Sequence, residues 1–189
     1  MAEGLTAVDD LTADSKDRGD VLHNLVGSVS RLRDLEEIRQ VRCRYHATLN
    51  DNRIGEHFDD CTEDVICQWD VEIPPQIGRE RNREVSRKVM ASGIAPAFRQ
   101  SIHNHLIDLS GDEAQGNSHM EAFPAQTGQS VLAIARWSDR YRRENGAWRI
   151  AEQRMTFYLQ AALAVGWATP LRIANPFDKL DLRSNEEKP

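Results

Sequence analysis

Residues Leu35–Asp70 read LEEIRQVRCRYHATLNDNRIGEHFDDCTEDVICQWD, and the change of pattern inside this stretch decides the fold. Apolar side chains recur at Leu32, Leu35, Ile38, Val41, Tyr45 and Leu49. That three-to-four spacing is one face of a long amphipathic helix. Asn50, Asp51 and Asn52 end it, because short polar side chains compete for the backbone. Ile54, Phe58 and Cys61 predict a second, shorter helix, and Val65–Trp69 predicts a strand. A long helix with a tyrosine on its buried stripe and a polar knot at its end is suited to wall a pocket. The downstream chain would then close a sheet around that wall.

Upstream, residues 1–20 carry Asp9, Asp10, Asp14, Asp17 and Asp20 and read as a loosely packed arm. Val21–Val29 reads as a short helix laid on the surface or on a partner subunit. Downstream, Pro74, Pro75 and Gly78 make Val71–Arg79 a loop. Glu80–Met90 is a charged surface helix with Val85 and Val89 inward, and Ser92–Pro96 is a break. From Ser101 the period becomes that of strands. Ser101–Leu109, Ala114–Phe123, a long Gln129–Arg142 and Trp148–Thr156 are the candidates, with turns at Ser110–Asp112 and Asn145-Gly146. Val131, Ala133, Ala135 and Trp137 share one face of the long strand, and Leu132 and Ile134 the other. One face would cover the helix and the other would meet a second copy, so a homodimer through the convex sheet face is expected. Phe157–Ala168 reads as a short apolar helix over the pocket mouth. Helices first and an antiparallel meander later predict an α+β domain.

The chain has 189 residues, 40% of them hydrophobic, enough for one core. The expected division is an arm at 1–30, a single domain at 31–169 and a tail at 170–189. Net charge is −6, and no basic stripe points to nucleic acid. No apolar run reaches membrane-spanning length, and the first residues lack a signal peptide's basic start and apolar centre. Cys43, Cys61 and Cys67 sit in apolar-patterned segments, which suits buried free thiols in a reducing compartment. An acidic cytoplasmic protein without a nucleic-acid or membrane partner is the expectation.

Short motifs in fixed order then narrow the reading. They are Arg44-Tyr45 with Leu49-Asn50, Asp59-Asp60, Glu63-Asp64-Val65 and Gly78-Arg79-Glu80. After them come Ile107–Asp112, Trp137–Arg143 and Gly146–Ile150. In this set, from about Arg31 to Thr156, the chain resembles the SnoaL-like group of the nuclear-transport-factor-2-like superfamily. The resemblance implies a conical, strongly bent sheet of mixed or antiparallel strands around the long N-terminal helix, a cystatin-like roll with a deep apolar pocket. Members of that superfamily include cyclases, dehydratases, dehydrochlorinases, ketosteroid isomerases, lyases and non-catalytic binders. In members that eliminate water or hydrogen chloride, a histidine on the first meander strand is the base and an aspartate at the end of the first helix orients it. The aspartate place falls here on Asn50. The histidine place falls on Ile102-His103 with a gap before Gly111, or on Gln100 without one. In ketosteroid isomerases a tyrosine at the place of Tyr45 donates to the enolate oxygen, and the carboxylate base would fall on Trp69, next to Asp70.

His103 and His105 alternate on one strand and so share a face. An imidazole serves as a base near neutral pH without large tuning. The bland reading is a histidine facing solvent or satisfied in the core. Tyr45 would donate to a developing oxyanion, or else be an ordinary core aromatic. An amide at Asn50 cannot supply the charge that stabilises an imidazolium. Either Asp51 takes that role, or Asn50 binds a substrate oxygen, or the protein binds without catalysing. Trp69, Asp51 and Gln100 are the substrate-binding candidates. Two histidines at this spacing could begin a metal site, but no third ligand stands out, so neither metal nor cofactor is expected. His46 is placed off the pocket stripe. The resulting expectation is a cofactor-independent lyase or isomerase acting on a hydrophobic aromatic or polycyclic molecule. His103, Tyr45, Asn50 and His105 would be its catalytic set. The alternative is a non-catalytic binding or structural subunit of the same fold.

Overall fold

The computed structural model describes residues 6–92, 99–126 and 128–166. The chain divides into two compact units, Met1–Glu37 and Ile38–Pro189. One helix, α1 (Thr6–Asn50), supplies the described part of the first unit and opens the second. The expected loose arm and short helix are therefore one continuous helix from Thr6. In the first unit Leu32 is exposed, so the buried stripe starts later than its spacing predicted.

In the second unit, Ile38, Val41, Arg42, Tyr45 and His46 are all buried. His46, expected off the stripe, is thus in the core. α1 stops where the polar knot predicted. Asn52 adopts φ 60°, a left-handed conformation that asparagine tolerates. The amides of Asn52 and Arg53 then return to the carbonyls of Leu49 and Thr48 at 3.0 and 3.1 Å, satisfying the helix's last acceptors. The expected second helix is a single 3-10 turn, Glu56–Phe58.

The strands are β1 (Cys61–Gln68), β2 (Gln76–Ile77), β3 (Gln100–Ser110), β4 (Glu113–Ala122), β5 (Ala125–Gln126), β6 (Gln129–Glu144) and β7 (Ala147–Ala162). A second helix, α2 (Arg79–Ala91), buries Val85 and Val89 and packs against β1. The sheet order is β2-β1-β7-β6-β4-β3, with β5 paired to β6. β1 and β7 run parallel and the other pairs antiparallel, giving an open mixed sheet in an α+β fold. Asn145 and Gly146 both hold positive φ, the type I′ geometry that joins β6 to β7 in a tight hairpin.

A further expectation fails for an identifiable reason. Phe157–Ala162 is not helical, because β7 continues as the partner of β6 to Val131↔Ala162. Pairing along a long apolar strand outweighed the local helix preference of its alanines. Gly93–Phe98, which holds most of the predicted Ser92–Pro96 break, lies outside the described residues, as do Trp167, Ala168 and the tail from 170. Cys43 is exposed on α1, while Cys61 and Cys67 are buried, and all three are free.

Candidate functional site

β6 alternates strictly at its centre, turning Val131, Ala133, Ala135, Trp137, Asp139 and Tyr141 inward. Ala133 stands opposite Ala122 of β4, and Ala135 opposite Met120. Two alanines side by side leave a shallow place on an otherwise bulky sheet. There the second unit holds a cavity of about 110 Å³. Tyr45, Trp69, Trp137 and Phe157 give it aromatic walls, and Met90, Met120 and Met155 fill between them. Its polar lining is uncharged: Ser86, Gln100, Gln126, Gln160 and the ring of His57.

His57 is held from both sides. The Gly55 amide lies 3.3 Å from Nδ1, and Nε2 meets Ser86 Oγ at 3.3 Å. Burial lowers its pKa to about 4, so the ring is neutral at pH 7. Gln160 Nε2 donates to Gln126 Oε1 at 3.2 Å. Gln100 lies beside His46, whose pKa burial holds well below the usual histidine range. Gln100 opposes that shift, yet neither His46 nitrogen nor Gln100 Oε1 reaches a hydrogen-bond partner among the described residues.

A buried polar network lies beside this cavity. Arg42 Nε is 3.3 Å from Asp139 Oδ2, and both side chains are fully buried. The guanidinium stacks over Trp137 at 4.4 Å and Tyr45 at 5.1 Å. It also donates to Gln153 Oε1 at 2.9 Å. That contact fixes the Gln153 amide, so its Nε2 donates to Tyr45 Oη at 3.0 Å and to Cys67 Sγ at 3.1 Å. Tyr141 donates to Asp139 at 2.8 Å and meets His105 Nε2 at 3.2 Å. Burial raises the Asp139 carboxyl above its ordinary value, with Arg42 and Tyr141 pulling the other way.

Of the residues singled out from the sequence, Tyr45, Trp69 and Gln100 line the cavity together. Asn50 does not line it. Its amide instead brackets one residue of β3, donating to the Gln100 carbonyl at 2.8 Å and accepting from the Gln100 amide at 2.9 Å. An aspartate could not make the first of these bonds. Asp51 is exposed and 3.8 Å from Arg53. His103 and His105 do not share a face. Asn104 takes φ 52°, and the β3–β4 register slips between His103 and Leu106. That bulge adds one residue and breaks the alternation. His103 consequently stands in the exposed pair with His119, its Nε2 3.8 Å from Glu121. His105 turns to Tyr141, and burial lowers its pKa to about 4. Neither imidazole lines the cavity.

The family model for the SnoaL-like domain matches residues 30–154. The chain belongs to the SnoaL-like family. No curated protein matches it in sequence. Among solved structures it is similar to a type 2 hexachlorocyclohexane dehydrochlorinase, LinA, at TM-score 0.67 and 16% identity, over 79% of this chain and 98% of that one. A Novosphingobium aromaticivorans protein provisionally assigned as a scytalone dehydratase matches at TM-score 0.63 and 18% identity, over 77% of this chain and 97% of the other. A nuclear-transport-factor-2-like protein with a cystatin-like fold from the same species gives TM-score 0.62 and 21% identity, over 72% and 90%. At these identities the likeness is one of fold. Within this SnoaL-like chain, reading the sequence alone missed Arg42, Asp139, Gln153, His57 and Ser86. The first two did carry a signal: Arg42 lies on the Ile38–Tyr45 stripe, and Asp139 shares the parity of Val131–Trp137. His57 and Ser86 carried none, since their meeting depends on how α2 docks.

Proposed function

We propose that the cavity is the substrate site of a cofactor-independent lyase or isomerase for a small, uncharged, aromatic or polycyclic molecule. One observation carries this reading: aromatic and methionine walls combine with a polar lining that holds no charge at neutral pH. Such a surface rewards burial of a flat apolar ring and penalises an anion, which would leave water for a site without a countercharge. Ser86 Oγ, in contact with His57 Nε2, is the donor to an oxygen substituent. Elimination of water needs a donor at the departing oxygen, and this pair supplies one. Tyr45 contributes its ring, and its hydroxyl, which accepts from Gln153 Nε2, keeps its own proton. The hydrogen-bonding role at the departing oxygen is thus assigned to the His57–Ser86 pair rather than to His103. The dehydrochlorinase and the provisionally assigned dehydratase among the similar structures agree with elimination chemistry.

A second reading, binding without turnover, is favoured by the state of His57. Burial lowers its pKa to about 4, which makes the ring a weak base at neutral pH. Titration of 2-naphthol, naphthalene and 2-naphthoate into the protein, followed by tryptophan fluorescence of Trp69 and Trp137, tests the shared part. The neutral pair should bind, and the carboxylate should bind at least about tenfold more weakly. Ala133→Phe should abolish binding by filling the cavity. A preference for the carboxylate, or no binding at all, would refute the site. Product formation from a hydroxylated ring substrate then separates enzyme from binder.

A further inference from the structure

We infer that α1 carries a self-association surface: the apolar stripe at Val21–Leu32 packs against the same stripe on a second copy of this chain. Within the first unit, Val21, Leu22, Leu25, Val26, Val29 and Leu32 are each 57–65% exposed. Six large aliphatic side chains in twelve residues of one helix are a contiguous patch rather than scattered exposure. Their spacing identifies the occupant. Leu22, Leu25, Val29 and Leu32 follow the alternating three- and four-residue steps of a heptad seam, with Val21 and Val26 beside it. That 3.5-residue period keeps a stripe facing a partner only when the partner is another helix with the same period.

Area agrees with a pair of like helices. Each of the six is more than half exposed, so full burial in two copies would approach the lower end of stable interfaces, about 1,200 Å² in total. Charge agrees as well. No Asp, Glu, Lys or Arg lies between Val21 and Ser30, so no like charges face each other across the seam there. A lipid surface is the poorer occupant. The stripe has no aromatic residue, and the helix is rich in aspartate toward its N-terminus where membrane-lying helices are rich in lysine and arginine.

The test uses the full chain and sedimentation velocity over a concentration series from about 1 to 100 µM. The wild type should associate, and Leu25→Glu/Val29→Glu should weaken association by about 100-fold or more, because it sets carboxylates in the seam. The outward sheet residue Leu106, also exposed, serves as control, and Leu106→Glu should associate like the wild type. Circular dichroism should report the same fold for all three. A wild type that stays monomeric throughout overturns the inference. So does association that survives Leu25→Glu/Val29→Glu, and so does association lost only in Leu106→Glu, which would assign the contact to the sheet.

Discussion

Asp139→Asn is expected to cost far more stability than its chemistry suggests, and more than Arg42→Met. In the wild type the guanidinium of Arg42 lies 3.3 Å from the Asp139 carboxylate with both side chains excluded from water. The amide in Asp139→Asn keeps the shape and removes the charge, leaving a buried cation that cannot shed its proton. Breaking one side of a buried pair costs about 3–5 kcal/mol. The bond to Gln153 at 2.9 Å and the stacking on Trp137 remain, which puts the expectation near about 3 kcal/mol. Arg42→Met is different, because the partner left behind can neutralise itself. Burial already raises the Asp139 carboxyl, and losing Arg42 raises it further. A carboxyl with a raised folded-state pKa stabilises the fold below its unfolded value and loses that contribution as pH rises through the folded value. The Arg42→Met deficit should therefore grow as pH rises from the unfolded carboxyl's value toward the raised folded one, by up to about 1.4 kcal/mol per pH unit inside that window. Urea denaturation at pH 5, 6.5 and 8, followed by circular dichroism, reads both effects. An Asp139→Asn loss under about 1 kcal/mol, or an Arg42→Met deficit that is flat in pH, would refute the claim that this pair sits in a dry, low-dielectric core.

His57 predicts acid sensitivity of the opposite sign. Its folded-state pKa of about 4 lies below its ordinary 6.5, so its contribution is complete above about pH 6.5 and disappears as pH falls toward 4. That amounts to about 3 kcal/mol, and His57→Phe should flatten this part of the stability–pH curve. If His57→Phe tracks the wild type from pH 7 to 4, the ring is not buried neutral. Gly116→Ala should lower stability by about 1–3 kcal/mol. An added Cβ would meet His105 Nε2 and Tyr141 Cε2 at 2.9 Å, and thermal melts report the cost. His103→Ala should leave 2-naphthol affinity, and any turnover, within about twofold of wild type. A larger loss would return His103 to the site.

The sequence by itself determined what depends on neighbours along the chain. The helical period of Ile38–Tyr45, the asparagine-rich stop, the Asn145-Gly146 hairpin and the strand periods of β3, β4 and β6 were all legible. Their order predicted an α+β domain, and the short motifs from Arg44 to Ile150 carried the resemblance to the family. Tyr45, Trp69 and Gln100 were legible as candidates because each lies on or beside an inward-facing pattern. What it could not determine was anything set by contact between distant segments. One extra residue at Asn104 turned His103 outward, and no local rule announces a bulge at an asparagine between two histidines. The extension of β7 to Ala162 was decided by its pairing with β6, since an alanine-rich segment prefers a helix until a partner strand is present. The cavity exists because Ala122 and Ala133, far apart in the chain, stand opposite each other in the sheet. The meeting of Arg42 with Asp139, and of His57 with Ser86, likewise depends on helices docking on that sheet. Periodicity fixes which side of an element is buried; only packing fixes what each buried group meets, and at this site the chemistry rests on the second.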